Sequence, residues 1–125
     1  QKIGMGKDFF ENYDLVKDLF KEADESLGIS ISKMILEGPK DKLDLTVNTL
    51  PAIFLISYSI FQVMKKEFNL DLDNAKYFAG HSLGEYSALC AANYLTFSDT
   101  IKLLKIRGDF TIICLVQFII FKRCY

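Results

Sequence analysis

The chain has 125 residues and a mass of 14.3 kDa, the size of one domain or of part of one. Its residues are 50% hydrophobic and 25% charged, which is average for a globular protein and excludes intrinsic disorder, collagen-like repeats and a disulfide-rich miniature. The net charge of −1 provides no basic surface for nucleic acid or for an anionic membrane, so we expect neither as a partner.

Cysteine and histidine are sparse in this sequence. Cys90, Cys114 and Cys124 form no Cys-x-x-Cys pair, and His81 is the only histidine. This pattern predicts neither a disulfide framework nor a metal site, and it fits a reducing, cytoplasmic environment. The opening residues, Gln1 to Gly6, have neither the features of a signal or transit peptide nor an initiator Met, so we expect the chain to begin inside a larger unit.

The first part of the chain has the periodicity of a helix. From Lys7 to Leu27, apolar residues recur every three or four positions, which predicts an amphipathic helix. We expect a break near residues 12–14. Gly28 is a natural stop, because glycine readily adopts the left-handed conformation that ends many helices. A short polar connection around Gly38-Pro39 follows.

A second, more apolar helix is predicted after this connection. Thr49 offers a cap and Pro51 a first helical position. The apolar run over residues 52–64 is longer than an ordinary strand. We therefore expect a helix that is buried on most sides, with Lys65, Lys66 and Glu67 marking where it emerges into water.

The next segments alternate strand and helix. After a polar loop at residues 71–74, residues 75–79 are short, mostly apolar and include two aromatics, and they predict a strand. A glycine-rich segment follows at once, and then a helix-forming stretch that runs through Ala92. This order places the glycine-rich segment between a strand and a helix.

The C-terminal part holds one more predicted helix and an apolar tail. The helix runs from about Ser98 to Arg107, with Thr96 and Asp99 spaced as in a capping box and Gly108 as its end. Residues 111–121 are almost wholly apolar but far fewer than the ~20 residues that span a bilayer, so no membrane span is predicted. Two interpretations of this tail stay open: a buried strand, or an aggregation-prone end with nothing to pack on.

The motif that carries chemistry is Gly80-His81-Ser82-Leu83-Gly84, a GxSxG sequence. A sharp strand-to-helix turn forces its serine into a strained backbone conformation and crowds the neighbouring residues, so glycine is expected two positions to either side. The serine hydroxyl then projects from the sheet as a nucleophile, and the next amide points to where an oxyanion develops. The alternative is a tight glycine turn with a buried serine.

Four segments of the chain resemble one family. GHSLGEYSAL, from Gly80 to Leu89, resembles the signature of malonyl-CoA:acyl carrier protein transacylases. QKIGMG at the N-terminus resembles the end of that family's GQGSQ-x-x-GMG segment. TLPA, from Thr49 to Ala52, resembles its TQPAL segment, and LKIRG, from Leu104 to Gly108, its LxxRG segment. The order and spacing of these segments match over residues 1 to about 110.

The resemblance implies a two-step acyl transfer. Ser82 would accept a malonyl group from coenzyme A and pass it to the phosphopantetheine thiol of acyl carrier protein. Leu83 would supply one oxyanion-hole amide, and Arg107 would bind the malonyl carboxylate, because a planar guanidinium meets a carboxylate with two hydrogen bonds. His81 would be a neighbouring support residue and not the base. No metal and no resident cofactor are expected. The alternative for Arg107 is an exposed arginine at a helix end.

The sequence also departs from the family pattern. The glutamine that supplies the second oxyanion-hole amide is absent, Leu50 stands where the family has glutamine before proline, and the downstream catalytic histidine has no counterpart. The resemblance stops after Phe110, which suggests a shifted reading frame or a truncated gene product. We therefore predict a partial α/β-hydrolase-like large subdomain of the acyltransferase fold, truncated at both ends, over residues 1–110, and a divergent apolar tail over residues 111–125.

Several functions remain open at this point. The first is malonyl transfer in fatty-acid biosynthesis, and a close variant is the acyltransferase domain of a polyketide synthase. Another is an inactive remnant, or a fragment that works only with a complementary C-terminal fragment. A serine esterase is disfavoured, because it needs Asp and His after the serine and gives no reason for Arg107. Since nucleophile and base act as a unit, we expect this chain alone to be poorly soluble and nearly inactive.

Overall fold

The computed structural model describes residues 1–72, 75–109 and 119–122. Helices form most of it, and two short strands complete the α/β architecture that the sequence predicts. In chain order the elements are α1 Lys7–Asn12, α2 Asp14–Leu27, α3 Ile31–Glu37, α4 Lys40–Leu43, α5 Thr46–Glu67, β1 Tyr77–Gly80, α6 Leu83–Ala91, α7 Phe97–Asp109 and β2 Ile119–Lys122.

The hydrophobic core lies around α5. This helix packs against α2, α4, α6 and α7, while α3 packs against both α2 and α5. The side chains at the centre are at most 1% exposed: Val16, Phe20, Ile31, Ile35, Leu43, Phe54, Leu55, Ile101 and Leu104. Sequence analysis made no prediction for α3, although Ile31 and Ile35 are spaced by one helical turn and are both buried.

The prediction that α5 is buried on most sides is confirmed. Between residues 47 and 63, only Ser57 is exposed, and Lys65 to Glu67 emerge at the end as expected. By length and mean hydropathy alone, this 22-residue helix would also qualify to cross a membrane, and it alone qualifies in the part of the chain described. Its packing against five other helices makes it the central helix of this fold.

The predicted amphipathic helix over residues 7–27 is confirmed, with its break at Tyr13. There the backbone is extended, with φ −127° and ψ 116°, so α1 and α2 are separate helices. The buried residues of α2 form one stripe: Val16, Leu19, Phe20 and Ala23. Gly28 ends α2 in the left-handed conformation, with φ 64°, as predicted.

The predicted start of α5 is wrong. The helix begins at Thr46, so Thr49 is not its cap and Pro51 is its sixth residue. Two side chains account for the earlier start, because they donate hydrogen bonds to the end of α4: Asn48 to the Lys42 carbonyl at 2.8 Å, and Thr49 to the Leu43 carbonyl at 2.7 Å. These bonds fix the α4–α5 turn one helical turn before the proline.

The predicted cap of α7 is confirmed, but its predicted end is not. The Asp99 amide donates to Thr96 Oγ1 at 3.0 Å, and the Thr96 hydroxyl donates to the Asp99 carboxylate at 2.7 Å. The helix begins at Phe97 and continues through Gly108 to Asp109. Gly108 is required for another reason. A Cβ there would lie 2.5 Å from the Val47 Cα, so glycine lets α7 pack closely on the start of α5.

The two strands pair in antiparallel fashion. Tyr77 lies opposite Lys122, and Gly80 lies opposite Ile119. The strand predicted at residues 75–79 is confirmed, with its bounds shifted to Tyr77–Gly80. In the apolar tail, the strand interpretation holds for the backbone of Ile119–Lys122. Residues 110–118 and 123–125, with Cys114 and Cys124, lie outside the described residues, and the division of the chain at residue 110 stays a prediction.

Candidate active site

Ser82 occupies the turn between β1 and α6. Its backbone has φ 55° and ψ −112°, a conformation that non-glycine residues rarely adopt and that costs about 1–3 kcal/mol. β1 ends at Gly80 and α6 begins at Leu83, so two residues make the whole turn. The strand–turn–helix context predicted for the GxSxG motif is therefore present, with the strain placed on the serine itself.

The two glycines of the motif meet different surroundings. A Cβ on Gly80 would lie 1.9 Å from the Gly84 carbonyl oxygen, so no side chain fits where β1 meets α6. A Cβ on Gly84 would meet no described atom within 4 Å. The expectation that crowding demands glycine on both sides is thus confirmed at Gly80 and wrong at Gly84 for the described residues, because Gly84 faces a cavity.

The guanidinium of Arg107 contacts the serine directly. Arg107 Nη2 donates a hydrogen bond to Ser82 Oγ at 2.8 Å. The two residues lie 25 positions apart in sequence and on different elements, and the packing of α6 against α7 brings them together. Arg107 forms no ion pair within the described residues, so its charge is free to meet an anion. Sequence analysis placed these two residues in one site, and the structure does the same.

The first turn of α6 adds backbone N–H groups to this site. Leu83 is the first residue of α6, and its N–H makes no hydrogen bond within the described ranges. The Ser82 N–H donates to the Glu85 carboxylate at 3.3 Å. A helix N-terminus carries partial positive charge, so an oxyanion near the Leu83 amide would be stabilised.

The other predicted site residues lie apart from the serine hydroxyl. His81 is exposed, and in the described part of the chain it forms no hydrogen bond with Ser82. Leu50 is half-buried and packs against the core. Cys90 is 2% exposed in that core, as the sequence predicted for a small core residue. Among the described residues, no group of three His, Cys, Asp or Glu side chains is arranged to hold a metal ion.

A cavity of about 410 Å³ opens beside the elbow, between α5, β1 and α6. Its lining is mainly apolar: Ser57, Tyr58, Phe61, Phe78, Ala79, Gly84, Ser87, Ala88 and Ala91. Burial raises the pKa of Tyr58 to about 12, and burial likewise raises the pKa of the neighbouring Cys90 thiol. Among the described lining residues, none is an acidic or basic side chain. Neither Ser82 nor Arg107 lines the cavity.

Sequence analysis missed three residues that shape the site. Glu85 completes the spacing Ser-x-x-Glu from Ser82, a capping-box signature that could have been found. Tyr86 lies under the Arg107 guanidinium, with the guanidinium carbon 5.4 Å from the ring centroid. No local signal predicts that contact, because it depends on how α6 and α7 pack. The same is true of the close approach of Gly108 to Val47.

Comparison with known proteins places this geometry in a family. The model of the acyl transferase domain family matches residues 1–116. The malonyl CoA-acyl carrier protein transacylase of Bacillus subtilis strain 168 is 44% identical over 110 residues, 88% of this chain and 33% of that protein. The polyketide biosynthesis malonyl CoA-acyl carrier protein transacylase of Bacillus velezensis is 39% identical over 109 residues, 87% of this chain and 36% of that protein.

A solved structure agrees in fold as well as in sequence. The crystal structure of acyl-carrier-protein S-malonyltransferase from Bartonella henselae matches with a TM-score of 0.81 and 44% identity, over 87% of this chain and 35% of that one. The chain therefore belongs to the acyl transferase domain family. Within that family it is similar to malonyl-CoA:acyl carrier protein transacylases and spans about a third of their length, which confirms the predicted partial transacylase fold.

Proposed function

We propose that this chain carries the acylation site of a malonyl-CoA:acyl carrier protein transacylase of fatty-acid biosynthesis. Ser82 accepts the malonyl group and Arg107 binds its free carboxylate. The 2.8 Å hydrogen bond from Arg107 Nη2 to Ser82 Oγ carries this proposal. One methylene separates the malonyl carboxylate from the carbonyl that Ser82 attacks, so a guanidinium next to the nucleophile, with no ion pair among the described residues, suits this acyl group.

The proposed reaction has two halves of the same kind. Ser82 Oγ bonds to the thioester carbonyl carbon of malonyl-CoA, its proton passes to a base, and the carbon–sulfur bond breaks, so that coenzyme A leaves as the thiol with that proton. The phosphopantetheine thiol of acyl carrier protein then attacks the carbonyl carbon of the serine ester. The bond from that carbon to Ser82 Oγ breaks, and the thiol proton passes through the base to Ser82 Oγ. No oxidation or reduction occurs, and we propose that no metal or resident cofactor takes part.

The Leu83 amide is the proposed oxyanion donor. It follows the nucleophile, begins α6 and has no acceptor in the described structure. One such donor contributes a factor of roughly 10² to 10³ in related acyl transfers. Strain at Ser82 keeps this amide and the hydroxyl at one end of the helix, so both reach the same carbonyl.

The base is proposed to come from a complementary part of the acyl transferase domain. The guanidinium can only donate hydrogen bonds, so Arg107 stabilises a serine alkoxide but accepts no proton from it. The single histidine, His81, is exposed, and its side chain forms no hydrogen bond with Ser82 among the described residues. We propose that a complementary segment supplies this base, that malonyl-CoA and acyl carrier protein are the further partners, and that the protein is cytoplasmic.

A second candidate is the same reaction in polyketide biosynthesis. It is favoured by the 39% identity to the polyketide transacylase of Bacillus velezensis. The two candidates share the acylation step and differ only in the acyl carrier protein that receives the malonyl group. Comparing transfer to carrier proteins of both kinds separates them.

Intact mass spectrometry tests the proposal. After incubation with malonyl-CoA, we expect a mass increase of one malonyl group on the wild-type chain and none on Ser82→Ala. The rate should rise when the remaining two-thirds of a homologous transacylase, which lacks the elbow serine, is added. A wild-type chain that stays unmodified even with the complementary segment added, in protein shown to be folded by circular dichroism, would contradict the proposal.

A further inference from the structure

We infer that Tyr86 positions Arg107 for the malonyl carboxylate, a role that rests on the function proposed above. The Arg107 guanidinium carbon lies over the Tyr86 ring, 5.4 Å from its centroid, while Nη2 of the same group donates to Ser82 Oγ. Ser82 is the N-cap of α6 and Tyr86 lies in the first turn of that helix. Both contacts to the guanidinium therefore come from the N-terminal end of α6.

An aromatic ring is suited to holding a guanidinium that must also bind a substrate anion. The ring attracts the cation through its quadrupole and uses none of the five N–H donors. A carboxylate in the same place would take those donors and neutralise the charge. The carboxylate of Glu85, which precedes Tyr86, accepts a hydrogen bond from the Ser82 N–H and forms no ion pair with Arg107 within the described contacts. Within the described residues, the ion pairs lie elsewhere and none includes Arg107.

The ring itself is fixed by packing. Tyr86 is half-buried and packs against the hydrophobic core. Leu104, one turn before Arg107, is fully buried in the same core, so both partners are mounted on rigid elements. A guanidinium that is already oriented loses less conformational freedom when it binds a carboxylate. The expected result is tighter binding of acyl groups that carry a carboxylate, without an effect on those that lack one.

Calorimetric titration of the full chain tests this role. Malonyl-CoA and acetyl-CoA are titrated into the Ser82→Ala chain, in which no acyl transfer occurs, and into the same chain with Tyr86→Leu or Tyr86→Phe added. Tyr86→Leu should weaken malonyl-CoA binding on the order of 3- to 30-fold. It should change acetyl-CoA binding less than about twofold. Tyr86→Phe, which keeps the ring, should restore most of the malonyl-CoA affinity.

The outcomes separate this inference from the function on which it rests. Equal losses for both ligands would show that Tyr86 only supports packing, and an unchanged preference for malonyl-CoA would also overturn the inference. If the chain with Tyr86 intact binds both ligands equally, the proposed function itself fails, and the inference with it.

If Tyr86→Leu does not fold, nuclear magnetic resonance on the chain with Tyr86 intact tests whether the ring lies against the Arg107 guanidinium. The Arg107 Nε–H signal, assigned with Arg107→Lys, should be displaced by the ring current and should move on adding malonyl-CoA but not acetyl-CoA. A signal without ring-current displacement would overturn the inference.

Discussion

The helical core and the elbow region of this protein differ in side-chain burial and in backbone strain. In the helical core, formed by α2, α3, α5 and α7, large side chains such as Phe20, Phe54 and Ile101 are at most 1% exposed. In the elbow region, formed by β1, the Ser82 turn and α6, the strand has no buried residue and the turn has a strained serine. The buried side chains that stabilise the fold are thus concentrated in the helical core, and the proposed acylation site lies in the less buried elbow region.

The two regions meet where α7 packs against α5 and α6. Leu104 anchors α7 in the core, and Gly108 lets the end of α7 approach the start of α5. Arg107 lies between these two positions and reaches across to Ser82. The geometry of the site therefore depends on core packing, so a change in the helical core can affect the site without touching it.

Removing a buried aromatic side chain should have the largest effect. Phe54→Ala should lower the free energy of unfolding by about 3–5 kcal/mol, because Phe54 is fully buried and its loss leaves a cavity. In the elbow region, Tyr77→Ala should cost only about 0.5 kcal/mol, since Tyr77 is 60% exposed. Urea unfolding measures both. Equal losses would show that the elbow region contributes as much to stability as the core.

Two helical glycines give a matched test of the link between the regions. Gly108→Ala should destabilise the protein by about 1–3 kcal/mol, because the added methyl would overlap Val47. It should also slow malonyl addition to Ser82, since the end of α7 carries Arg107. Gly84→Ala meets open space and should be stabilising by about 0.5–1 kcal/mol, from helix propensity alone.

Thermal unfolding and intact mass read out the two glycine variants. If Gly108→Ala left both stability and malonyl addition unchanged, the close contact between α7 and α5 would not position the site.

Alkaline pH should lower the free energy of unfolding gradually, and by less than the substitutions above. Burial of the phenol raises the pKa of Tyr58 from its ordinary value of 10.0 to about 12 in the folded protein. Between these values the unfolded chain is ionised while the folded one is not. Stability that is complete below pH 10 is therefore lost as pH rises toward 12.

Tyr58→Phe keeps the ring that packs on Phe54 and Phe97, but it has no group to ionise. Urea unfolding at several pH values gives the slope of the free energy of unfolding against pH. This slope should be shallower in Tyr58→Phe, by an amount that corresponds to less than one proton per molecule. An identical slope in both proteins would show that Tyr58 ionises with the same pKa in the folded and unfolded states.

Local patterns in the sequence predicted most of the elements and the turn that holds Ser82, while the family resemblance placed Arg107 in the same site. The break at Tyr13 and the cap at Thr96 follow from local chemistry, and the structure has both. The start of α5 did not follow from Pro51, because side-chain bonds to α4 outweighed the proline signal. The contact of Tyr86 with Arg107 depends on the packing of α6 against α7, which no short segment of sequence encodes.

The central claim is that Ser82 and Arg107 together form a site for an acyl group that carries a carboxylate. The most direct test is the ratio of malonyl to acetyl addition to Ser82, followed by intact mass, in the wild-type chain and in Arg107→Lys. We predict that the wild type favours malonyl and that Arg107→Lys lowers this ratio by roughly 10- to 100-fold, since lysine keeps the charge but loses the planar pair of donors. A ratio that is the same in both proteins would contradict the claim.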